Sequence, residues 1–320
     1  MIRFLTILFI LTFEINAIQL VDVYRQQGAD AVVDEIEKTL QTKNYWESYI
    51  ANKDVKYGYY EDEPTIVIVD KNAKKLQVHH HKEGKSNLKL IQDVIVGKMG
   101  DKKKEGDLKT PVGVYEVRKR FTPSDPFYGP VAFSLSYPNT MDKLEGKDGH
   151  GIWIHGYPVD GSERDDRTKG CVVMTNDLLK EFDGVVGKDK AITIISETGI
   201  PKTNKEEMSL ILSQLFQWKD AWKRSNVNKY LSFYDKEFKR FDGMKYKAFE
   251  RMKKQIFARK EDKLIKFRDI QITPYPNKNG RLIYRIAFHE NYKTKKFKFR
   301  GYKELYVELK NKNMKILAEK

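Results

Sequence analysis

The chain has 320 residues, with 60 Lys and Arg against 45 Asp and Glu, a formal net charge of +15 and a single cysteine, Cys171. One cysteine excludes an intrachain disulfide framework, and beyond the amino terminus no stretch is long and apolar enough to span a bilayer. The length suggests two or three domains, and the charge is uneven: residues 205–320 hold 31 basic against 14 acidic side chains, residues 1–204 hold 29 against 31.

The amino terminus, MIRFLTILFILTFEINA, has Arg3, an apolar run from Phe4 to Phe13 and then Ala17. This pattern reads as a secretory signal over residues 1–17 with cleavage after Ala17, an uncleaved anchor being the alternative. A periplasmic or cell-envelope setting follows. There the basic carboxyl-terminal third meets polyanionic wall polymer or anionic membrane surface rather than nucleic acid, or is simply a solvated surface. Residues 18–60 form a helical arm, with Val32, Val33, Ile36 and Leu40 at helical spacing. It is too short to hold a core alone and should pack on the next domain or on a second copy.

From Pro64 the period changes. TIVIVD, KLQVHHH, KLIQDVIVG, GVYEVRKRF, VAFSLSYP, GIWIHG and AITIIS are short β-branched runs between Gly, Pro, Asn and Asp turns, which makes residues 64–197 a strand-rich domain. TNDLLKEFDGVVG is its best helix, started by Thr175 or Asn176 and ended by Gly184. GIPKTNK links it to residues 205–320. That last domain opens on a helix striped by Leu210, Leu212, Leu215, Trp218 and Trp222. A second helical region runs from VNKYLSFYDKEF to about Ala258, and four strands follow, with PNKNG as the turn between the first two. The whole is α+β.

Amide cleavage by a thiol needs a nucleophile, a base for its proton and donors for the oxyanion. In IHGYPVDGSERDDRTKGCVV, Cys171 offers the first and His155, sixteen residues earlier, the second. Backbone N–H groups around Gly170 and Cys171 offer the third, since glycine permits a tight turn and close approach. A cysteine just before a helix is also placed for thiolate stabilisation.

These residues resemble the YkuD-type L,D-transpeptidase family, whose histidine precedes the cysteine of an [ST]-x-G-C run by sixteen residues. Here the run is Thr168, Lys169, Gly170 and Cys171. Upstream, Thr110, Pro111, Gly113 and Tyr115 match the family's TPxGxY landmark. The resemblance implies a mostly-β catalytic domain acting on peptidoglycan stem peptides without metal or cofactor. Cys171 would form the acyl-enzyme at the third residue of the stem, with His155 as base, the Gly156 carbonyl orienting the imidazole, and Gly170 with Cys171 as oxyanion hole. Thr168 and Lys169 would meet substrate. The family's frequent arginine two residues after the cysteine is replaced by Val173, which removes any carboxylate contact assigned to it. The run W…AW…YLSFYDKEF, followed by antiparallel strands, resembles the NTF2-like fold, a conical sheet around a pocket. Together the parts resemble the periplasmic cell-shape L,D-carboxypeptidases of helical bacteria, which trim tetrapeptide to tripeptide stems and dimerise through the helical arm. The alternatives are an L,D-transpeptidase forming cross-links between diaminopimelate residues, and a non-catalytic wall-binding scaffold.

Other residues have plainer readings beside the functional ones. His79, His80 and His81 alternate across a strand and cannot converge on one ion; they read as a solvated strand end. His150 could line the site or serve a turn. Trp153, on the strand face of His155, is a core residue or a substrate wall. Tyr128, in TPSDPFYGP, is a candidate for a lid over the cleft. NYKTKKFKFRGYK could hold an anionic glycan or be an ordinary half-buried strand.

Overall fold

The computed structural model describes residues 19–187, 190–199 and 201–320; the secretory signal expected at 1–17 lies outside them. Among the described residues no helix is long and apolar enough to cross a membrane. The protein is α+β and is built on two sheets. The larger has eight strands: β2 (Thr65–Asp70), β3 (Lys75–Lys82), β4 (Lys85–Asp93), β5 (Gly113–Phe121), β6 (Ala132–Leu135), β7 (Trp153–His155), β8 (Val172–Val173) and β9 (Ala191–Ser196), in the order β4-β3-β2-β9-β5-β6-β7-β8. β2 and β9 pair in parallel at its centre. Both read as unbroken apolar runs because both of their faces are buried. Val67, Val69 and Ile195 face a core with Phe133, Leu179 and Phe182, whereas Ile66, Ile68, Ile192 and Ile194 face the second sheet.

The helix after the cysteine, α4 (Asn176–Val186), is capped by the Thr175 hydroxyl, which accepts from the Leu178 N–H. It runs through Gly184 and stops at Gly187, whose φ of 59° ends the turn. Gly184 has open space around it and nothing forces a break there. Earlier in the same half, α3 (Thr140–Leu144) starts on a reciprocal Asn139–Asp142 capping box.

The second sheet is β1 (Tyr59–Tyr60), β10 (Tyr234–Arg240), β11 (Leu264–Pro274), β12 (Ile283–Lys293), β13 (Lys298–Lys310) and β14 (Asn313–Glu319), ordered β1-β11-β12-β13-β14-β10. Against it lie α5 (Lys205–Lys223), α6 (Val227–Ser232) and α7 (Tyr246–Phe257). An Asn204–Glu207 capping box starts α5, and its stripe buries Leu212, Leu215 and Trp218 completely. The continuous helical region expected to about Ala258 is interrupted: YDKEFKR is β10, paired in parallel with β14. Tyr234 and Phe238 sit four residues apart, which also suits a helix, but both are buried here from a strand. Tertiary pairing overrides the local spacing. A cavity of about 350 Å³ opens among Trp222, Lys253, Glu290, Tyr292, Phe297 and Lys303. Burial pushes the Lys253 ammonium down to about 8 against the attraction of Glu319.

The arm consists of helical residues 19–27, α1 (Ala29–Leu40) and α2 (Lys43–Tyr49). It packs on the carboxyl-terminal half of its own chain. Trp46 stacks on Phe216 of α5 at 5.4 Å, and Ile50 and Tyr59 join the same core. Glu37 pairs with Lys219 and Lys223. Where the halves meet, Arg285 is buried between Glu304 and Glu116, Thr140 donates to Glu304 at 2.7 Å, and the Asn139 amide donates to the Tyr275 hydroxyl at 3.0 Å. The histidine run is not a solvated end: His79 and His81 are buried against Tyr57 and Tyr60, and His80 turns the other way to the Val185 carbonyl at 2.9 Å.

Candidate active site

Cys171 stands at the start of β8, between two backbones. On one side β7 runs parallel, with Ile154 beside Val172 and His155 beside Val173. On the other, Val173 exchanges two hydrogen bonds with Ile95, at 2.7 and 2.9 Å. The half-buried thiol sulfur accepts from the Trp153 N–H at 3.4 Å and lies 3.5 Å from the Gly151 carbonyl. Trp153 and His155, alternate residues of β7, share one face.

His155 is fully buried, and its Nδ1 lies 2.8 Å from the Gly156 carbonyl oxygen. A carbonyl only accepts, so Nδ1 carries the hydrogen and Nε2 is left with a bare lone pair. Nε2 has no hydrogen-bond partner among the described residues. The position of that carbonyl requires glycine: a Cβ on Gly156 would lie 2.1 Å from Asn176 Oδ1, which accepts from the Tyr157 N–H at 2.9 Å. Asn176, the first residue of α4, thus fixes the chain just after the histidine.

The cysteine turn is held by Thr168. Its hydroxyl donates to the Cys171 carbonyl at 2.7 Å and accepts from the Gly170 N–H at 3.0 Å. Gly170 has φ of +134°, and a Cβ there would meet the Lys109 carbonyl at 2.8 Å. Thr110, next along from that carbonyl, accepts from the Gly97 N–H through its hydroxyl. Tyr115 is buried and donates to the Val112 carbonyl. The TPxGxY landmark therefore buttresses the turn from behind.

Aromatic rings wall the front. The Tyr128 ring packs edge-on against His155 at 5.0 Å and Trp153 at 4.9 Å, and Phe121 closes the other side of Trp153 at 5.0 Å. Tyr128 ends a 3-10 turn, Pro126–Tyr128, capped by the Asp125 carboxylate. The expected residues thus divide. His155, Gly156, Trp153, Tyr128, Gly170 and Cys171 come together. Lys169 is exposed. Thr168 is buried, and its hydroxyl, donating to the Cys171 carbonyl and accepting from the Gly170 N–H, shapes the turn. The His150 side chain is 81% exposed, with Nδ1 3.9 Å from the Glu105 carboxylate. Among the described residues no cluster of His, Cys, Asp and Glu could hold a metal ion.

Arg164 is the residue that sequence reasoning passed over. It lies in the charged loop between histidine and cysteine, with its guanidinium 5.0 Å above the Phe127 ring. Nothing in SERDDRTK marks which of Arg164 and Arg167 folds inward.

The electrostatics leave both reactive groups neutral near neutral pH. Burial pushes the Cys171 thiol up, against the Trp153 N–H and the positive charges of Arg164 and Lys102. Burial and then the Arg164 charge bring His155 down to about 4, against the Gly156 and Tyr128 carbonyls. The resting pair is thiol and imidazole, not thiolate and imidazolium. Alkylation of Cys171 by iodoacetamide is therefore expected to rise with pH into the alkaline range, with no plateau between about 4 and neutrality. A plateau beginning near His155's acid limb would reveal a preformed ion pair and contradict this.

The residues match two family models: the L,D-transpeptidase catalytic domain, YkuD, over 64–194, and the Cds6 C-terminal NTF2-like domain over 210–320. The chain is similar to the helical cell shape determining protein Pgp2 of Campylobacter jejuni, with 50% identity, a TM-score of 0.84, and coverage of 88% of this chain and 99% of that one. It is also similar to Bd1075 of Bdellovibrio bacteriovorus, at 27% identity and a TM-score of 0.65 over 83% of this chain and 95% of that one. YafK of Escherichia coli K12, which carries an L,D-transpeptidase name, is 34% identical over 87 residues, 27% of this chain. That match spans about a third of YafK's length (31%).

Proposed function

The chain belongs to the YkuD L,D-transpeptidase family, and from that premise we propose that it is a peptidoglycan L,D-carboxypeptidase that removes the terminal D-Ala from tetrapeptide stems. The observation that carries the chemistry is the tautomer of His155: with Nδ1–H committed to the Gly156 carbonyl, Nε2 is left as the ring's free base. Cys171 Sγ attacks the carbonyl of the third stem residue as its proton passes to His155 Nε2. The Gly170 N–H is engaged by Thr168, so the Cys171 amide is the donor we assign to the oxyanion. Collapse breaks the C–N bond; the amine of D-Ala leaves with the proton from His155. Water then attacks the thioester, gives its proton to His155, and the thiol is regenerated beside a tripeptide carboxylate. No metal or cofactor enters these steps.

We place this activity in the periplasm, with residues 1–17 as the secretory signal, and in shaping the cell. Val21, Tyr24, Val33 and Ile36 are exposed along the arm while Trp46 and Ile50 are buried. That uncovered stripe supports pairing of two copies through the arm. The basic carboxyl-terminal half suits a polyanionic wall or peripheral contact with an anionic membrane.

The test is to incubate the protein with purified tetrapeptide muropeptides and follow products by mass. Tripeptide and free D-Ala are expected in equal amounts. Dimers joined through diaminopimelate would instead establish the transpeptidase, and binding without reaction the scaffold.

A further inference from the structure

Beyond its contact with the Phe127 ring, two of the Arg164 guanidinium nitrogens have no partner among the described residues. Its Nε and Nη1 are shielded from solvent and meet no acceptor among the described residues, and no carboxylate of those residues pairs with it. Exposed Glu163, Asp165 and Asp166 surround it in sequence, yet the guanidinium turns inward and lies on Phe127. Buried unpaired guanidinium donors are costly, and native proteins rarely keep them without a use. From Phe127 the contacts lead directly to the reacting groups. Phe127 packs edge-on against Tyr128 at 5.5 Å, and Tyr128 against His155 at 5.0 Å. The cation's influence is registered at Cys171, Tyr128 and Tyr157. Val173, buried in β8, brings no charge to the cleft.

We propose that Arg164 binds the free terminal carboxylate of the stem peptide, holding the residue that will leave one position beyond the attacked carbonyl. This rests on the carboxypeptidase reading and sharpens it. A guanidinium with idle N–H donors at Nε and Nη1 offers a carboxylate charge-assisted hydrogen bonds. The terminal carboxylate of D-Ala is the anion nearest the scissile bond on the leaving side. The site thereby selects stems that end one residue past the bond and discriminates against chains that continue.

The test uses the full chain in a Cys171→Ala background, so that binding is read without turnover. Titration with a tetrapeptide stem and with its C-terminal amide is expected to show the acid bound about 10- to 100-fold more tightly, as a hydrogen-bonded charge pair implies. Adding Arg164→Gln should bring acid and amide to within about twofold of each other, while Arg164→Lys keeps part of the preference, as a point charge with a different donor geometry. An acid-to-amide ratio unmoved by Arg164→Gln overturns the proposal, as does failure of the Arg164 protein to bind either peptide. A ratio lost only with stems carrying diaminopimelate, and not with lysine in its place, also overturns it, because the anion would then be the third residue's own carboxylate. If the wild type forms cross-links instead of tripeptide while the ratio still collapses in Arg164→Gln, the carboxypeptidase reading falls and the carboxylate site stands.

Discussion

Replacing Cys171 by alanine lowers conversion of tetrapeptide stems by roughly 10,000-fold or more, as losses of a covalent nucleophile do, and leaves the melting temperature where it is in the wild type. The two halves of this result have separate causes. Activity falls because the acyl-enzyme cannot form and His155 has no proton to accept. Stability holds because the half-buried sulfur makes only two long contacts, with the Trp153 N–H and the Gly151 carbonyl. The turn itself is kept by Thr168 and Gly170. Cys171→Ser should not rescue the rate, because a hydroxyl is a far weaker acid than a thiol, and burial has made His155 a weak base, at about 4. Turnover by Cys171→Ala within about tenfold of wild type, a barrier change of only ~1.4 kcal/mol, would place the nucleophile elsewhere.

Arg285→Met is expected to cost about 3–5 kcal/mol of stability, the usual result of stripping one partner from a buried ion pair. Arg285 bridges Glu304 on β13 and Glu116 on β5, and Tyr302 donates to the same Glu116 at 2.9 Å. Without the guanidinium, Glu304 is a buried carboxylate left to the hydroxyls of Thr140 and Tyr306. Burial raises the Glu304 carboxyl, but the Arg285 charge and hydrogen bonds outweigh it and hold the group below the usual carboxylate range. A depressed carboxyl contributes stability above its unfolded pKa and loses it as pH falls through the folded one. The difference between Arg285→Met and wild type should therefore shrink in acid. A second change, Glu304→Met, should recover most of the loss. Thermal or denaturant unfolding decides it: a single-variant cost under about 1 kcal/mol would assign the junction to its apolar contacts instead.

The pair proposed as base and nucleophile stands out in the sequence because such chemistry leaves short local marks. His155 ends β7 and Cys171 stands at the start of its parallel neighbour β8, so their spacing is the length of one loop, and the Gly156 carbonyl follows directly in the chain. The continuous apolar runs of β2 and β9 read as strands, and both of their faces are buried. What escaped depends on distant partners. YDKEFKR becomes β10 because β14, more than seventy positions later in sequence, receives it. Thr168 looked like a substrate residue because its pattern cannot show that both sides of its hydroxyl are taken by backbone. Arg164 is invisible for a related reason: a loop with several charges does not declare which one finds an aromatic ring. His79 and His81 read as solvated because imidazole is polar, but Tyr57 and Tyr60 arrive to cover them.

The pairing of β1 with β11 also bears on how the chain is made. The Tyr60 hydroxyl, whose hydrogen goes to the Tyr57 carbonyl, accepts from the Thr273 hydroxyl, 213 residues further on, and Tyr59 lies beside Ile272. In translation order, Trp46, Ile50 and Tyr59 emerge first yet have no home until the last strands have been synthesised. The catalytic half is an excursion between two parts of one folding unit, whose closure carries the entropic cost of a long loop. A nascent chain must therefore hold Trp46 and Tyr59 uncovered until the strands of the second sheet have been made, and those strands govern when the arm can settle.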